Sequence, residues 1–166
     1  MESFRVHLHK EQLVFSAAHF ITFGANICER LHGHNYGVRA DVWGPLEEHA
    51  YVVDFIALRD ELRDIVLALD HHVLLPTEHP TIRVTQTERE VTATFEDRRW
   101  VFPLEDCVLL PVRNTTAELL AKHIGGLLLK ALAERGIHPA RVAIGVDENH
   151  GQWGEWDSGP LGPMEP

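Results

Sequence analysis

Three histidines in the first part of the chain have the spacing of a metal site. His32 and His34 lie two positions apart, and a β-strand places residues i and i+2 on the same face. His19 ends an alternating stretch upstream, where its phase puts it on the apolar face. On its own, His19 is better explained as a buried histidine bound to a backbone carbonyl. Three converging imidazoles with a fourth position open are the ligand set of a catalytic zinc ion, so the sequence predicts a zinc site.

Cys28 lies four residues before His32, a spacing that does not suit a further ligand on the same strand. A thiol has a reference pKa of about 8.5, and it can act as a base near neutrality where neighbouring charge favours the thiolate. The alternative is a structural thiol in a loop. We interpret Cys28 as a reactive group beside the metal.

The composition excludes several other classes of protein. The chain has 166 residues, with 25 Asp and Glu against 15 Lys and Arg and a formal net charge of −10. That balance, without a basic cluster, argues against nucleic acid as a partner. No apolar run approaches the roughly 20 residues that cross a bilayer, and no signal peptide is evident. We expect a cytoplasmic protein with no membrane or nucleic-acid partner.

The periodicity of the chain indicates alternating strands and helices. Strands are predicted over about 4–20, 32–43 and 142–146, separated at 22–31 by a loop that Gly24 and Asn26 favour. Asp54 is the predicted N-cap of a first helix. A second helix is predicted to begin with a capping box formed by Thr115 and Glu118.

These elements predict an α+β fold, in which two helices pack on one face of an antiparallel sheet. Residues 1–150 are expected to form a single domain. An added hairpin is predicted at about 76–111, with a turn near 96–98, and an irregular tail at 151–166. The unpaired edges of such a sheet favour oligomerisation.

The motif that runs from Cys28 through His32-Gly33-His34, with His19 upstream, resembles the 6-pyruvoyl-tetrahydropterin synthase and 6-carboxy-tetrahydropterin synthase family. The rest of the resemblance consists of Leu69-Asp70-His71, Asn114-Thr115-Thr116-Ala117-Glu118 and Glu148, which follow in the family's order. The resemblance implies the tunnelling fold, in which trimers form through continuous sheets and stack into a hexamer. It also implies 7,8-dihydroneopterin triphosphate, a pterin triphosphate, as the small-molecule substrate.

The resemblance also implies a role for each site residue. His19, His32 and His34 correspond to the zinc ligands, and Cys28 to the catalytic thiol. The other correspondences are Asp70 and His71 as a proton relay, Glu148 as the carboxylate that anchors the pterin ring, and Thr115 and Thr116 as residues lining its pocket.

Several of these assignments have alternatives. His72 competes with His71, and a slip of one residue in strand phase would exchange Glu148 for Asp147. Asp70 and His71 could simply end a helix, where the helix dipole favours His, and Thr115 could be only a cap. Some relatives use a glutamate in the loop in place of the thiol, so Glu29 is an alternative base.

Two reactions fit the resemblance. One yields 6-carboxy-5,6,7,8-tetrahydropterin with loss of acetaldehyde and triphosphate, on the route to queuosine-type deazapurines. The other eliminates triphosphate to give 6-pyruvoyl-tetrahydropterin. The spacing of Cys28 and His32 resembles the first group, which we expect here. A pterin-binding protein with zinc but little turnover is the third possibility.

Overall fold

The computed structural model describes residues 2–24 and 27–162. The strands and α-helices are β1 (Phe4–His19), β2 (Thr22–Phe23), β3 (Ile27–Cys28), β4 (His32–Gly44), α1 (Phe55–Leu67), β5 (His72–Pro76), β6 (Arg83–Gln86), β7 (Glu90–Phe95), β8 (Arg98–Pro103), β9 (Cys107–Leu110), α2 (Ala117–Glu134), β10 (Arg141–Asp147) and β11 (Trp153–Asp157). Among these residues, no helix combines the length and apolar composition needed to cross a membrane.

A six-stranded sheet in the order β11-β10-β4-β1-β5-β9 forms the centre of the molecule. The first four strands in that order are antiparallel, whereas β5 pairs in parallel with both β1 and β9. The prediction of a purely antiparallel sheet is therefore wrong at one side. The short strands β5 and β9 carry too few residues for alternation to reveal them as strands of this sheet.

The two helices cover one face of this sheet, as predicted. Alternate residues of β1, including Leu13, Phe15 and Ala17, are buried beneath them. The buried stripe of α1 consists of Leu58, Leu62 and Val66, and that of α2 includes Leu120, Ile124 and Leu128. Because strand alternation and helical spacing bury apolar residues at this one interface, they determine which side of each strand faces inward.

The beginnings of the two helices differ in how well they were predicted. Asp54 caps α1, since its side chain accepts hydrogen bonds from the backbone N–H groups of Ile56 and Ala57. The predicted capping box is wrong: α2 begins at Ala117 with Thr116 as its N-cap, and no side chain caps it. The buried Thr115 hydroxyl donates to the carbonyl of Phe20 instead. The Thr115 hydroxyl, which the local sequence predicts as a helix cap, is used in this tertiary contact instead.

Two further segments are more ordered than the sequence indicated. The predicted loop at 22–31 contains the small ladder of β2 and β3, although Asn26 lies outside the described residues. The tail was predicted to be irregular, which is wrong over β11, the strand that pairs with β10. At Gly154 a Cβ atom would come within 2.5 Å of the amide nitrogen of Glu118, so this strand packs directly on the start of α2. Residues 163–166 lie outside the described part of the tail.

The predicted insertion is a three-stranded antiparallel meander of β6, β7 and β8, rather than a simple hairpin. The turn at 96–97 lies where it was predicted. The insertion is also narrower than 76–111, because β5 ends at Pro76 and β9 covers 107–110, and both belong to the central sheet. We call the part formed by β6, β7 and β8 the inserted sheet.

Candidate metal centre and active site

The three histidines lie at the paired ends of β1 and β4, on the face that the helices cover. His19 is directly opposite His32, and His34 is opposite Ala17. Because opposite residues of an antiparallel pair share a face, all three side chains point the same way. One ring nitrogen from each histidine lies within 4.8 Å of the other two. The structure therefore brings the three predicted ligands together.

Backbone carbonyls determine which nitrogen faces the centre of this group. The Nδ1 of His19 is 2.9 Å from the carbonyl oxygen of Thr115, and the Nδ1 of His32 is 2.8 Å from that of Arg30. A carbonyl can only accept, so each Nδ1 carries the proton and donates it. The lone pair of each ring is then on Nε2, which is how second-sphere hydrogen bonds orient metal ligands.

His19 is held in the neutral form that a metal requires. Its side chain is buried, and desolvation lowers its pKa from 6.5 to about 4. The hydrogen bond to Thr115 opposes this effect, and the neighbouring His32 and His34 reinforce it. Metal ligation needs a deprotonated imidazole nitrogen, so His19 is ready to coordinate across the whole neutral range.

Tyr36 is a residue of this centre that sequence reasoning missed. Its hydroxyl lies 3.0 Å from the Nε2 of His19, and its fully buried ring stacks on Phe15. Burial, followed by the negative charges of Glu148 and Glu29, raises the pKa of Tyr36, so the hydroxyl stays protonated. It donates to the Nε2 of His19 in the metal-free chain, and a metal bound to that lone pair would replace this hydrogen bond. The position of Tyr36 two residues after His34, on the same strand face, was the available signal.

Two carboxylates complete the surroundings of the histidines. The Oε1 of Glu148 is 3.4 Å from the Nε2 of His19 and 3.9 Å from that of His34. The Oε2 of Glu29 is 3.7 Å from the Nε2 of His32, and this buried oxygen has no hydrogen-bond partner. A buried polar atom without a partner needs an explanation. Three imidazole lone pairs beside an unpartnered carboxylate fit a divalent metal ion.

The structure distinguishes Glu148 from its rival Asp147. The carboxylate of Asp147 accepts hydrogen bonds from the backbone N–H groups of Asn149, Gly151 and Gln152. It therefore closes the turn that follows β10. Glu148 is the neighbour whose carboxylate faces the histidines, in agreement with the predicted strand phase.

A cleft of about 350 Å³ opens beside Glu148. Thr116 and the first residues of α2 form one of its walls, and Trp153 of β11 forms another. Thr115 does not line this cleft, because its side chain is buried and its carbonyl binds His19. Of the two predicted pocket threonines, the structure thus places Thr116 at the cleft and Thr115 behind the metal ligand. Trp153 was not singled out from the sequence.

Cys28 is close to His32 in sequence, but its side chain is buried in an apolar cluster separate from the three histidines. Its thiol is 3.6 Å from the carbonyl oxygen of Glu29, and its side chain is almost fully buried. Burial raises the pKa of this thiol, while the positive charge of Arg98 opposes the increase and the negative charge of Glu29 adds to it. Within a single chain the thiol form is therefore favoured.

Asp70 and His71 form a pair, but no contact joins them to the three histidines in the part of the chain that the structure describes. The Oδ1 of Asp70 accepts from the amide of Ser16 at 2.7 Å, and its Oδ2 is 2.7 Å from the Nδ1 of His71. These two interactions, with the Ser16 amide contributing most, lower the pKa of Asp70. His71 and His34 both line a cleft of about 570 Å³.

His71 is placed in the cleft by an unusual backbone conformation. Its φ is +59°, and its amide donates to the carbonyl of Ser16 at 2.6 Å. A non-glycine residue in the left-handed region is uncommon. Its side chain is 82% exposed in the single chain. The rival His72 is instead the first residue of β5, and its Nδ1 is buried without a hydrogen-bond partner.

The fold and the site together define an α+β protein with a group of three histidines that could hold a metal ion. A profile of the family described as 6-pyruvoyl tetrahydropterin synthase matches residues 8–158. The chain therefore belongs to the 6-pyruvoyl tetrahydropterin synthase family. The predictions of membership in this family and of an enzyme of its lyase class are confirmed.

Individual relatives agree with this membership. A Methanocaldococcus jannaschii protein, provisionally named 6-carboxy-5,6,7,8-tetrahydropterin synthase, is 30% identical over 142 residues, which cover 84% of this chain and 86% of the relative. The Aquifex aeolicus 6-carboxy-5,6,7,8-tetrahydropterin synthase is 29% identical over 113 residues, covering 68% of this chain and 63% of the relative.

A solved structure confirms the predicted tunnelling fold. A Plasmodium vivax 6-pyruvoyltetrahydropterin synthase superimposes with a TM-score of 0.86 at 25% identity, covering 95% of this chain and 98% of that chain. The crystallised Plasmodium vivax protein is a variant in which a catalytic glutamate is replaced by alanine.

Proposed function

We propose that the chain is a zinc-dependent lyase that converts 7,8-dihydroneopterin triphosphate and one water molecule to 6-carboxy-5,6,7,8-tetrahydropterin, acetaldehyde and triphosphate. The observation that carries this proposal is the group of three histidine ring nitrogens flanked by the carboxylates of Glu148 and Glu29. The names of the archaeal and Aquifex relatives support the 6-carboxy product. Formation of this product would place the chain in the queuosine pathway.

His19, His32 and His34 would hold the zinc ion through Nε2. Zinc bound by three neutral ligands keeps its charge and, when bound, acidifies the C–H groups next to the substrate's side-chain oxygens. The remaining tasks belong to side chains of the protein. They must bind the ring, hold it in one orientation and move protons.

Glu148 is suited to binding the pterin ring. A carboxylate that faces the guanidine-like edge of a pterin accepts two parallel N–H hydrogen bonds, which is a strong and orienting contact. The cleft beside Glu148, with Thr116 at its wall, has about 350 Å³ available for the ring. Thr115 contributes from behind, because its carbonyl holds the tautomer of His19.

Two neighbouring residues are candidates for the base. Cys28 is the thiol that the family motif predicts. The position of Glu29 favours it as a second candidate, because its carboxylate is 3.7 Å from His32 and has an unpartnered oxygen. The catalytic glutamate of the Plasmodium vivax enzyme supports a carboxylate in this role.

Asp70 and His71 are suited to proton exchange. The carboxylate of Asp70 accepts from the Nδ1 of His71, which leaves Nε2 of His71 free to give or take a proton. Because no contact links this pair to the histidine group within the described chain, we propose that a second copy completes the site. A hexamer built as a dimer of trimers would do so, and the sheet edges at β11 and β9 are available for continuation of the sheet.

A cytoplasmic location is part of the same proposal. Cys28 and Cys107 are both free thiols, as expected in a reducing compartment. The net charge of −10 argues against nucleic acid as a partner.

The structural similarity to the Plasmodium vivax enzyme favours a second candidate function, 6-pyruvoyl-tetrahydropterin synthesis. Product analysis separates the two. Zinc-loaded protein is incubated with 7,8-dihydroneopterin triphosphate, and the pterins and acetaldehyde are identified by mass spectrometry. We expect acetaldehyde and the 6-carboxy product. A 6-pyruvoyl product would support the second function, and unchanged substrate would contradict both and leave only pterin binding.

A further inference from the structure

The inserted sheet packs on the segment that carries Cys28 and Glu29. An apolar cluster separate from the main core, which we call the insert cluster, is formed by Phe20, Cys28, Leu75, Ile82, Val91, Ala93 and Phe95. Trp100 of β8 stacks on Phe20 at the end of β1, with ring centroids 4.5 Å apart and planes inclined by 20°. The inserted sheet is thus joined through its apolar face to the connection between β1 and β4.

Arg98 makes the polar contacts between the inserted sheet and this segment. One guanidinium nitrogen donates to the carbonyl of Cys28 at 2.9 Å, and the other donates to the carbonyl of Glu29 at 3.3 Å. The guanidinium carbon also lies 5.2 Å and 5.4 Å from the ring centroids of Phe95 and Trp100. A planar, rigid fork of donors held against aromatic rings is pre-organised for two acceptors in a way that a lysine is not.

The two carbonyls belong to the two residues whose side chains are the candidate bases. The backbone of this segment is held from its other side as well, since the amide of Glu29 donates to the carbonyl of Ile21 at 3.0 Å. With both peptide groups fixed, the Glu29 side chain leaves the backbone in a defined direction and its Oε2 lies 3.7 Å from His32. Loss of the fork would free the backbone that determines this direction.

We propose that Arg98 is a positioning residue for the reaction, and that the inserted sheet delivers it to the Cys28–Glu29 segment. This inference rests on the proposed function, because it concerns the placement of that reaction's base. A displacement of about 1 Å in a reacting group can cost on the order of 100-fold in rate. The inserted sheet would therefore contribute to the reaction by positioning the candidate bases through Arg98.

Three variants test the inference. Arg98→Met removes the fork and the charge but keeps an apolar stem over the rings. Arg98→Lys keeps the charge without the fork. Arg99→Met is the matched control, since Arg99 is the next residue of β8 and is exposed. All three are measured for zinc content, kcat, KM and hydrogen exchange of the amides in segment 27–31.

We expect all three variants to bind zinc as the wild type does. Arg98→Met should lower kcat by about tenfold or more with little change in KM, because the base is misplaced while ring binding is intact. Arg98→Lys should recover only part of that loss. Amides in 27–31 should exchange faster in Arg98→Met and at the wild-type rate in Arg99→Met.

The exchange measurement separates a failure of this inference from a failure of the proposed function. If the wild type does not turn over the substrate, the proposed function fails, and unchanged exchange in Arg98→Met would then also overturn the role of the fork. If the wild type is active, an unchanged kcat in Arg98→Met overturns the inference alone. Should Arg98→Met fail to fold, full kcat in a folded Arg98→Lys would overturn it.

Discussion

The two halves of the candidate site are supported in different ways. His19, His32 and His34 lie on the two long strands in the middle of the central sheet, at the ends where β1 and β4 pair with each other. Cys28 and Glu29 lie on and just after β3, a strand of two residues that, within the described ranges 2–24 and 27–162, pairs with β2 alone. We call the three histidines the metal half of the site, and Cys28 with Glu29 the base half, after their proposed roles. The central sheet holds the metal half in place, whereas the base half depends on contacts from the inserted sheet.

This difference suits the two roles that we propose for one short motif. Residues in a paired sheet open only with large parts of the fold, whereas short connecting segments have lower local stability. A metal centre needs fixed ligand geometry before the metal arrives, which the sheet supplies. A base must contact a substrate that binds and dissociates in every turnover. The segment that carries the candidate bases is held by side-chain contacts rather than by a long strand. Substitutions should therefore affect metal content in one half and rate in the other.

The sharpest test of this comparison uses one substitution from each half. His32→Ala removes a ligand, so it should abolish stoichiometric zinc binding and activity; the loss of metal affinity should exceed the roughly 10- to 100-fold typical of second-sphere changes. Glu29→Gln should retain zinc and lower kcat by about 10²- to 10⁴-fold, the contribution of a general base. Metal content is measured by atomic emission and kcat by triphosphate release.

Cys28→Ala is the matched control within the base half. It should also keep zinc, because Cys28 belongs to the insert cluster and is not among the residues grouped around the metal centre. Wild-type activity in Cys28→Ala would assign proton transfer to Glu29 alone. Stoichiometric zinc in His32→Ala would refute the ligand assignment, and zinc loss in Glu29→Gln would show that the two halves are not separate.

The sequence predicted the metal half better than the base half for a physical reason. Strand parity alone aligns His32 with His34, and the burial pattern of β1 places His19 on the same face. Such local periodicity is encoded within a few residues. The phase of β10 similarly favoured Glu148 over Asp147, and it is the carboxylate of Glu148 that faces the histidines.

The contacts that sequence reasoning did not predict join distant parts of the chain, and they serve both halves of the site. Arg98 reaches a carbonyl 70 positions away, and Thr115 donates to a carbonyl 95 positions away. No local pattern encodes such contacts, so the first was missed and the second was misread as a helix cap. The strand β11 was missed because Gly154 and Asp157 are of types that strands disfavour, although Gly154 is required by its close approach to α2.

The stability of the metal-free protein in acid tests whether burial keeps His19 in its neutral form. The pKa of His19 is about 4 in the folded chain and 6.5 in the unfolded one, so the unfolded state binds more protons between these values. The free energy of unfolding is therefore highest, as far as His19 is concerned, above pH 6.5. It decreases by about 3 kcal/mol as the pH falls towards 4. Urea unfolding in the presence of EDTA, at pH 7 and pH 4.5, measures it.

The pH dependence must be assigned to His19 by comparison. His19→Gln should show a smaller loss of unfolding free energy over this range than the wild type. His49→Gln, which changes an exposed histidine, should behave as the wild type does. Equal losses in all three proteins would mean that the pKa of His19 is the same in the folded and unfolded states, and burial would then not favour the neutral form that binds a metal.

The smallest expected effect concerns the end of β10, where two adjacent carboxylates have different tasks. Asp147→Ala should lower the free energy of unfolding by about 1 kcal/mol, because its hydrogen bonds to the turn amides are lost; the corresponding decrease in Tm is about 2–4 °C. Glu148→Gln should leave Tm within about 1 °C, since it removes no turn contact, but should raise KM for the substrate. Thermal unfolding and steady-state kinetics measure the two quantities.

The pair also shows whether Glu148 belongs to the half that the sheet fixes. Glu148 is the first residue after β10, and the turn closed by Asp147 determines where its backbone leaves the sheet. If the strand alone aims Glu148, Asp147→Ala lowers Tm and leaves KM near the wild-type value. If KM rises in Asp147→Ala as much as in Glu148→Gln, the turn is what aims the carboxylate. Glu148 would then resemble Glu29, a side chain positioned by contacts outside the sheet, and the boundary between the two halves would lie at the three histidines themselves.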